Sequence, residues 1–278
     1  MRPSDSDSQM SIADKALKDT LDLLDWPKLC EYLSEFASTA YGCRECKSLS
    51  LPNDLATSLN RLSETLEIGA LDELIEGGLN FQGVSDLGVT LLRCVKGGVV
   101  SGEQLLKVAE TLSSARRLRR QIDDPQLRPV LTALLVDLAT LPELEKSLKF
   151  GLEEGGRIAD RASERLRDLR QKWQGMRSER RGVLQQLLRR YGSIVQDTAI
   201  GDRNGRPVLA LKVGTTDQIQ GIVHGSSGSG NTVFLEPHVV IPLGNRISAI
   251  ETEILQEEYR LLGNWSGVVG KNFEILHH

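Results

Sequence analysis

The sequence predicts a mainly α-helical protein: a multi-helical core, a long antiparallel coiled-coil arm of two helices, and a small antiparallel β unit at the arm's tip. Three observations predict it. Apolar residues recur in steps of three and four through most of the chain, as on helices that bury one face. Two of these stripes are long, and each contains one charged residue. Only the stretch between them, residues 193–243, changes to short β-prone runs separated by turn residues. With 278 residues, 40 % of them apolar, the chain can form one large domain or two ordinary ones. An aromatic share of 4 % argues against a β-sandwich or an aromatic-lined small-molecule pocket.

Residues 1–16 begin MRPSDSDSQM, small and polar without periodicity, and read as a disordered tail. Residues 17–156 read as the helical core. Asp25 and Pro27 open one helix, Asn53 and Asp54 another, and Ser101 with Gln104 forms a capping box before L-L-K-V-A-E-T-L. Gly-Gly pairs at 77–78, 97–98 and 155–156 mark turns. Residues 157–192 contain no proline and are rich in Arg, Leu, Glu and Gln, which predicts one ascending arm helix, roughly 52 Å long at 1.5 Å per residue. Its stripe runs Ile158, Ala162, Leu166, Leu169, Trp173, Met176, Arg180, Val183 and Leu187.

Strands are predicted at 208–213, 218–224 and 232–236, separated by Asn-Gly at 204–205, G-T-T-D at 214–217 and G-S-S-G-S-G-N at 225–231. The returning helix, 244–278, follows a stripe of Leu243, Ile247, Ile250, Ile254, Glu257, Leu261, Trp265 and Val268. An antiparallel register that sets Tyr191 against about residue 245 brings Arg180 level with Gln256, beside Glu257. Arg180 and Glu257 are therefore expected to pair within the seam.

No run of about 18 uncharged apolar residues occurs and the N-terminus is polar and acidic, so neither a membrane span nor a signal peptide is read, and the expected location is cytoplasmic. Cys30, Cys43, Cys46 and Cys94 are too few for a disulfide framework. Cys43 and Cys46 have the spacing of half a zinc site, but the other two cysteines lie singly, and plain helix positions are the better reading. Gly225 to Thr232 nearly fits a phosphate loop, with Asn231 in place of the lysine. A strand ended by proline follows it where a helix is needed, so it reads as a hairpin loop. His224, Ser226, Ser227, Ser229 and Glu236 contain no nucleophile elbow and support no triad. No catalytic, cofactor-binding or metal-binding residue is assigned.

The formal net charge of −4 conceals an asymmetry: residues 1–156 carry −8, 157–190 carry +7 and 191–278 carry −3. The basic stretch points either to a polyanionic partner or to the charged exterior that a coiled coil needs. Arg116, Arg117, Arg119 and Arg120 read as a solvated or acid-paired face because Asp123 and Asp124 follow at once. Arg177, Arg181, Arg189 and Arg190 on the arm, with Arg203, Arg206 and Lys212 in the tip, are the candidates for contact with nucleic-acid phosphates.

The segments D-T-A-I-G-D-R-N-G-R-P-V-L-A-L-K-V (197–213) and Q-I-Q-G-I-V-H-G-S-S-G-S-G-N-T-V-F-L-E-P (218–237) resemble the clamp of the bacterial MutS branch often called type two. The resemblance extends through E-G-G-R-I-A-D-R-A-S (154–163), N-F-Q-G-V-S-D-L (80–87), K-G-G-V-V-S-G-E-Q-L-L (96–106) and T-L-D-L-L-D-W-P-K-L-C (20–30). Departures are Gly225 for the usual Asp, Ala210 for a frequent proline, and Gly244 for an asparagine.

The resemblance implies an ATP-dependent homodimeric clamp that acts on branched DNA and suppresses recombination, a role in DNA repair. In some bacteria it implies action on stalled ribosomes and rRNA binding. A C-terminal Smr domain would supply endonuclease activity, and ATP and Mg would be the cofactors of the full-length protein. The chain shows no Walker A, Walker B or Smr segment and stops within the returning helix, so it is expected to be the core and clamp portion of a longer protein. The alternative is a dimerisation or ribosome-interaction scaffold without direct DNA binding.

Overall fold

The computed structural model describes residues 12–122, 124–136, 138 and 140–277. The expected tail lies outside the described residues as far as residue 11, and helix α1 (Ile12–Leu23) takes in its last part. The fold is mainly α-helical with one small antiparallel sheet. The described residues divide into two compact units, one of residues 12–149 with 265–277 and one of residues 150–264.

The first unit follows the caps read from sequence. Helix α2 (Trp26–Ser34) starts after Asp25, which takes a left-handed φ of 55° and leaves its side chain to Lys28 rather than to the helix amides. Helix α3 (Ala40–Lys47) carries Cys43 and Cys46 one turn apart. Helix α4 (Leu55–Leu74) is capped by Asp54, whose carboxylate accepts from the Thr57 amide at 2.8 Å. After helix α5 (Gly88–Val95), helix α6 (Gly102–Gln121) opens with the Ser101/Gln104 capping box. Helix α7 (Pro129–Leu134) docks on α4 through Leu71, Ile122 and Leu131, while Glu67 accepts from the Val130 and Leu131 amides at its N-terminus. Helix α8 (Pro142–Gly151) follows. Leu91, Leu105, Val108, Leu148 and Val269 are all but inaccessible in this unit.

The second unit differs from expectation at its entry. The ascending helix does not start at Arg157: Leu152 and Ile158 form a β-bridge, and Gly155 and Gly156, both at positive φ, turn the chain between them. Helix α9 is Glu164–Arg190, about 40 Å at 1.5 Å per residue, with Ser163 as its N-cap. Ile158 is buried before the helix begins, so it belongs to the entry turn and not to the helical stripe.

The sheet has order β1-β2-β4-β3, all neighbours antiparallel: β1 (Val195–Arg203), β2 (Arg206–Lys212), β3 (Gly221–Ser226) and β4 (Thr232–Pro237). Strand β1 adds a fourth strand to the three expected from sequence. The Asn204-Gly205 turn, with φ of 53° and 78°, is the two-residue hairpin that requires a strand on both sides. Gly225 to Thr232 closes the β3–β4 hairpin, with the Gly230 amide bonded to the Ser227 carbonyl.

The sheet seats on the last turns of α9. Leu184 packs with Ile194, Val195, Leu209, Leu211, Ile219, Leu235 and Val240, and Val183, Leu187, Leu188 and Tyr191 close the cluster. Helix α10 is Ile241–Lys271, and helix α11 (Phe273–His277) ends the described chain. Along α10, Ile247, Ile250, Glu257, Leu261 and Trp265 are buried as the stripe requires, but Val269 and not Val268 continues it. The stripe drifts because a straight helix turns every 3.6 residues, not 3.5.

Candidate nucleic-acid interface

Helix α9 is a dense cation source: residues 164–190 include nine Lys or Arg and three Asp or Glu. Its position beside α10 is set by polar bonds at its N-terminal half. Trp173 Nε1 donates to Glu251 at 2.8 Å, Arg170 pairs with Glu258 at 2.6 Å, and Ser163 Oγ donates to Glu257 at 2.7 Å. These partners define an antiparallel register different from the expected one.

Arg180 and Glu257 do not meet. Glu257 is buried and takes Ser163 together with both arms of Arg260, at 2.6 and 2.8 Å. The Arg260 bonds, helped by Ser163, hold its carboxyl at a pKa of about 2 against the burial that opposes them. Arg180 lies instead at the start of α10, its Nη1 3.9 Å from the point a Cβ on Gly244 would occupy. The expected register extended the helix–helix seam to Tyr191. In the protein the sheet covers the last turns of α9, so the seam is shorter and its pairing is displaced.

The tip cations are partly engaged. Arg203 lies over the Phe234 ring, 3.8 Å from its centroid. Arg206 Nη1 donates to Asn245 at 3.1 Å and approaches the buried Glu236 at 3.5 Å, while the other Glu236 oxygen meets His224 Nε2 at 2.8 Å. This network joins β2, β3 and β4 to the first turn of α10, and sequence spacing gave no sign of it. Lys212 Nζ donates to the Ser193 carbonyl at 2.8 Å. Arg206 and Lys212 thus hold the sheet together as well as offering charge.

The helix cations are different. Among the described residues Arg177, Arg180, Arg181, Arg189 and Arg190 form no ion pair and no side-chain hydrogen bond. Arg177 covers the Trp173 ring at 4.4 Å and Arg190 the Tyr191 ring at 5.4 Å. Arg177, Arg180 and Arg181, spaced to share one helix face, line a groove of about 840 Å³ between α9 and β1, with Thr198, Ala199 and Ile200 on its far wall. No Asp or Glu lines it. Burial, then the charge of Arg177, push the Arg180 pKa down, which marks a guanidinium short of compensation. Arg180, expected in the seam, lines this groove instead. The Arg177, Arg180 and Arg181 spacing was the available signal for a shared basic face.

Comparison with known proteins places the chain. A protein of Synechocystis sp. called Endonuclease MutS2 is 36 % identical over 252 residues, 91 % of this chain and 31 % of the relative. Proteins of the same name from Symbiobacterium thermophilum and Geobacillus thermodenitrificans are each 32 % identical over 92 % of this chain, and over 32 % and 33 % of their own lengths. The chain belongs to the MutS2 family. It spans about a third of the length of the curated relatives it matches. No family model matches it. Among the described residues no helix is long and apolar enough to cross a membrane.

Proposed function

We propose that this chain is the nucleic-acid-binding core and clamp portion of a MutS2-type protein, with α9 and α10 as the coiled-coil arm and the sheet as the clamp. The observation that carries this reading is the row of arginines on α9, Arg177, Arg181, Arg189 and Arg190, that form no ion pair or side-chain hydrogen bond among the described residues, which leaves several charges for phosphates. Arg203, stacked on Phe234, extends the basic surface to the tip, and Arg206 and Lys212 add charge from within the sheet's own bonds. The contact is assigned to the phosphate backbone, since positive charge spread along a helix fits a row of phosphates and fixes position without reading sequence.

In the whole protein, the reading extends to an ATP- and Mg-dependent homodimer that acts on branched DNA in the cytoplasm and suppresses recombination. The family name makes endonuclease activity part of that proposal. A ribosome-facing scaffold is the competing role, since rRNA presents the same phosphates. The test is a gel-shift of this chain on a four-way junction, a linear duplex and a structured RNA at two salt concentrations. Binding that weakens steeply with salt is expected, with a log–log slope of about −0.9 for each phosphate neutralised on duplex DNA. No salt-sensitive binding to any of the three overturns the reading and favours a scaffold that works through protein contacts.

A further inference from the structure

We propose that the groove between α9 and β1 is a built seat for a backbone phosphate of DNA or RNA, with Arg180 as its central ligand and Arg177 and Arg181 at its sides. This rests on the nucleic-acid reading above and assigns it a place. Three features of Arg180 and the groove it lines distinguish them from a solvated basic face.

First, the charge is concentrated and uncompensated. Three guanidinium groups from one turn of α9 line the same groove, and its lining contains no carboxylate. Each lacks an ion pair among the described residues, whereas the buried Glu145 and Glu257 elsewhere each hold arginines tightly. Second, Arg180 is half-buried, so its charge acts in a less screened setting than the exposed Arg189 and Arg190. Its opposite charges, Glu251, Glu236 and Asp202, act on it only from beyond ion-pair distance. A phosphate would supply the missing partner as a charge-assisted hydrogen bond acceptor.

Third, no side chain stands where Arg180 and Arg206 converge. Gly244, buried in the first turn of α10, faces Arg206 Nη1 at 3.2 Å and Arg180 Nη1 at 3.9 Å from the position of an added Cβ. Two guanidinium groups therefore approach one spot without a side chain between them. Amides of a helix's first turn add positive potential there. A residue with a short acidic side chain at position 244 would reach both arginines and occupy the charge that a phosphate needs.

That residue is the test. Gly244→Asp sets a Cβ 3.2 Å from Arg206 Nη1, which the flexible guanidinium must shift by a few tenths of an ångström to accept, and the carboxylate gains Arg180 and Arg206 as partners. The variant is expected to weaken nucleic-acid binding about tenfold, the effect of losing one charge-assisted contact. Arg180→Gln is expected to weaken binding to a similar extent and to lower the salt slope by about 0.9 on duplex DNA. Both variants and the parent are titrated against a DNA duplex and an RNA hairpin, which separates the two sources of phosphate, and folding is checked by thermal melting. Parent binding with unchanged affinity and slope in both folded variants overturns the seat and leaves the nucleic-acid reading standing. Failure of the parent to bind either polymer overturns both.

Discussion

Two arginine clusters of almost the same composition meet different fates in this chain. In α6, Arg116 forks onto Glu145 at 2.8 and 3.1 Å, Arg117 donates to the Asn80 and Gln82 carbonyls, and Arg119 donates to the Leu138 carbonyl. Among the described residues only Arg120 of that cluster lacks such a partner. In α9, Arg177, Arg180 and Arg181 have none. The difference is not in the local sequence. Asp124 follows the first cluster, but the partner of Arg116 is Glu145, contributed by α8. An arginine is internally satisfied when a packed neighbour brings a carboxylate or a loop of free carbonyls to it. Opposite Arg177, Arg180 and Arg181 of α9 the groove wall offers Thr198, Ala199 and Ile200 of β1 and Pro207 of β2, none of them acidic.

The contrast can be broken or sharpened by substitution. The largest effect is expected at Glu257, which anchors the N-cap of α9 and Arg260 at once. Glu257→Ala should cost about 2 to 3 kcal/mol in a denaturant titration, since it removes a buried carboxylate together with the bonds it accepts from Ser163 and Arg260. If α9 needs no anchor, the loss will be within about 0.5 kcal/mol.

The same carboxylate sets a pH dependence. Its folded pKa of about 2 lies below the ordinary 4.5, so its contribution is full above the ordinary value and is lost as pH falls from there towards 2. A stability–pH profile of the parent should therefore drop through that window, and the Glu257→Ala profile should drop less.

At Glu145, burial raises the pKa, but the bonds from Lys149 and Arg116 outweigh it and lower the pKa. Glu145→Gln should cost about 1 to 2 kcal/mol, less than Glu257→Ala because glutamine keeps the shape of the side chain and an acceptor oxygen for Arg116 or Lys149. The smallest effect belongs to the free cluster. Arg181→Gln should change stability by no more than about 0.5 kcal/mol in the same titration, because no internal bond is removed. A loss as large as that of Glu145→Gln would mean that Arg181 has a structural role.

What the sequence revealed follows the range of the interactions concerned. The Ser101/Gln104 and Asp54 caps, the Asn204-Gly205 hairpin and the α10 stripe are local and were readable from neighbours a few residues apart. Strand β1 was missed although its own hairpin turn announced it. The arm register was wrong because it depends on where the sheet sits. Leu184 and Leu187 follow the same periodicity whether a helix or a sheet covers them, and HPPH spacing does not name the partner. The same limit hid the groove: the basic face of α9 is legible in the sequence, but its facing strand, its lack of acids and the approach of Arg180 and Arg206 to Gly244 come only from tertiary packing.

The central claim is that the α9 arginines are free for phosphate while those of α6 are committed to the fold. It is tested most directly by titrating a four-way junction over a salt series with two triple variants, Arg177→Gln/Arg180→Gln/Arg181→Gln and Arg117→Gln/Arg119→Gln/Arg120→Gln, each confirmed folded. The account predicts that the α9 triple lowers the slope of log affinity against log salt by about 2 to 3 and that the α6 triple lowers it by less than about 1. Equal losses from the two triples, or a loss confined to the α6 triple, would contradict it.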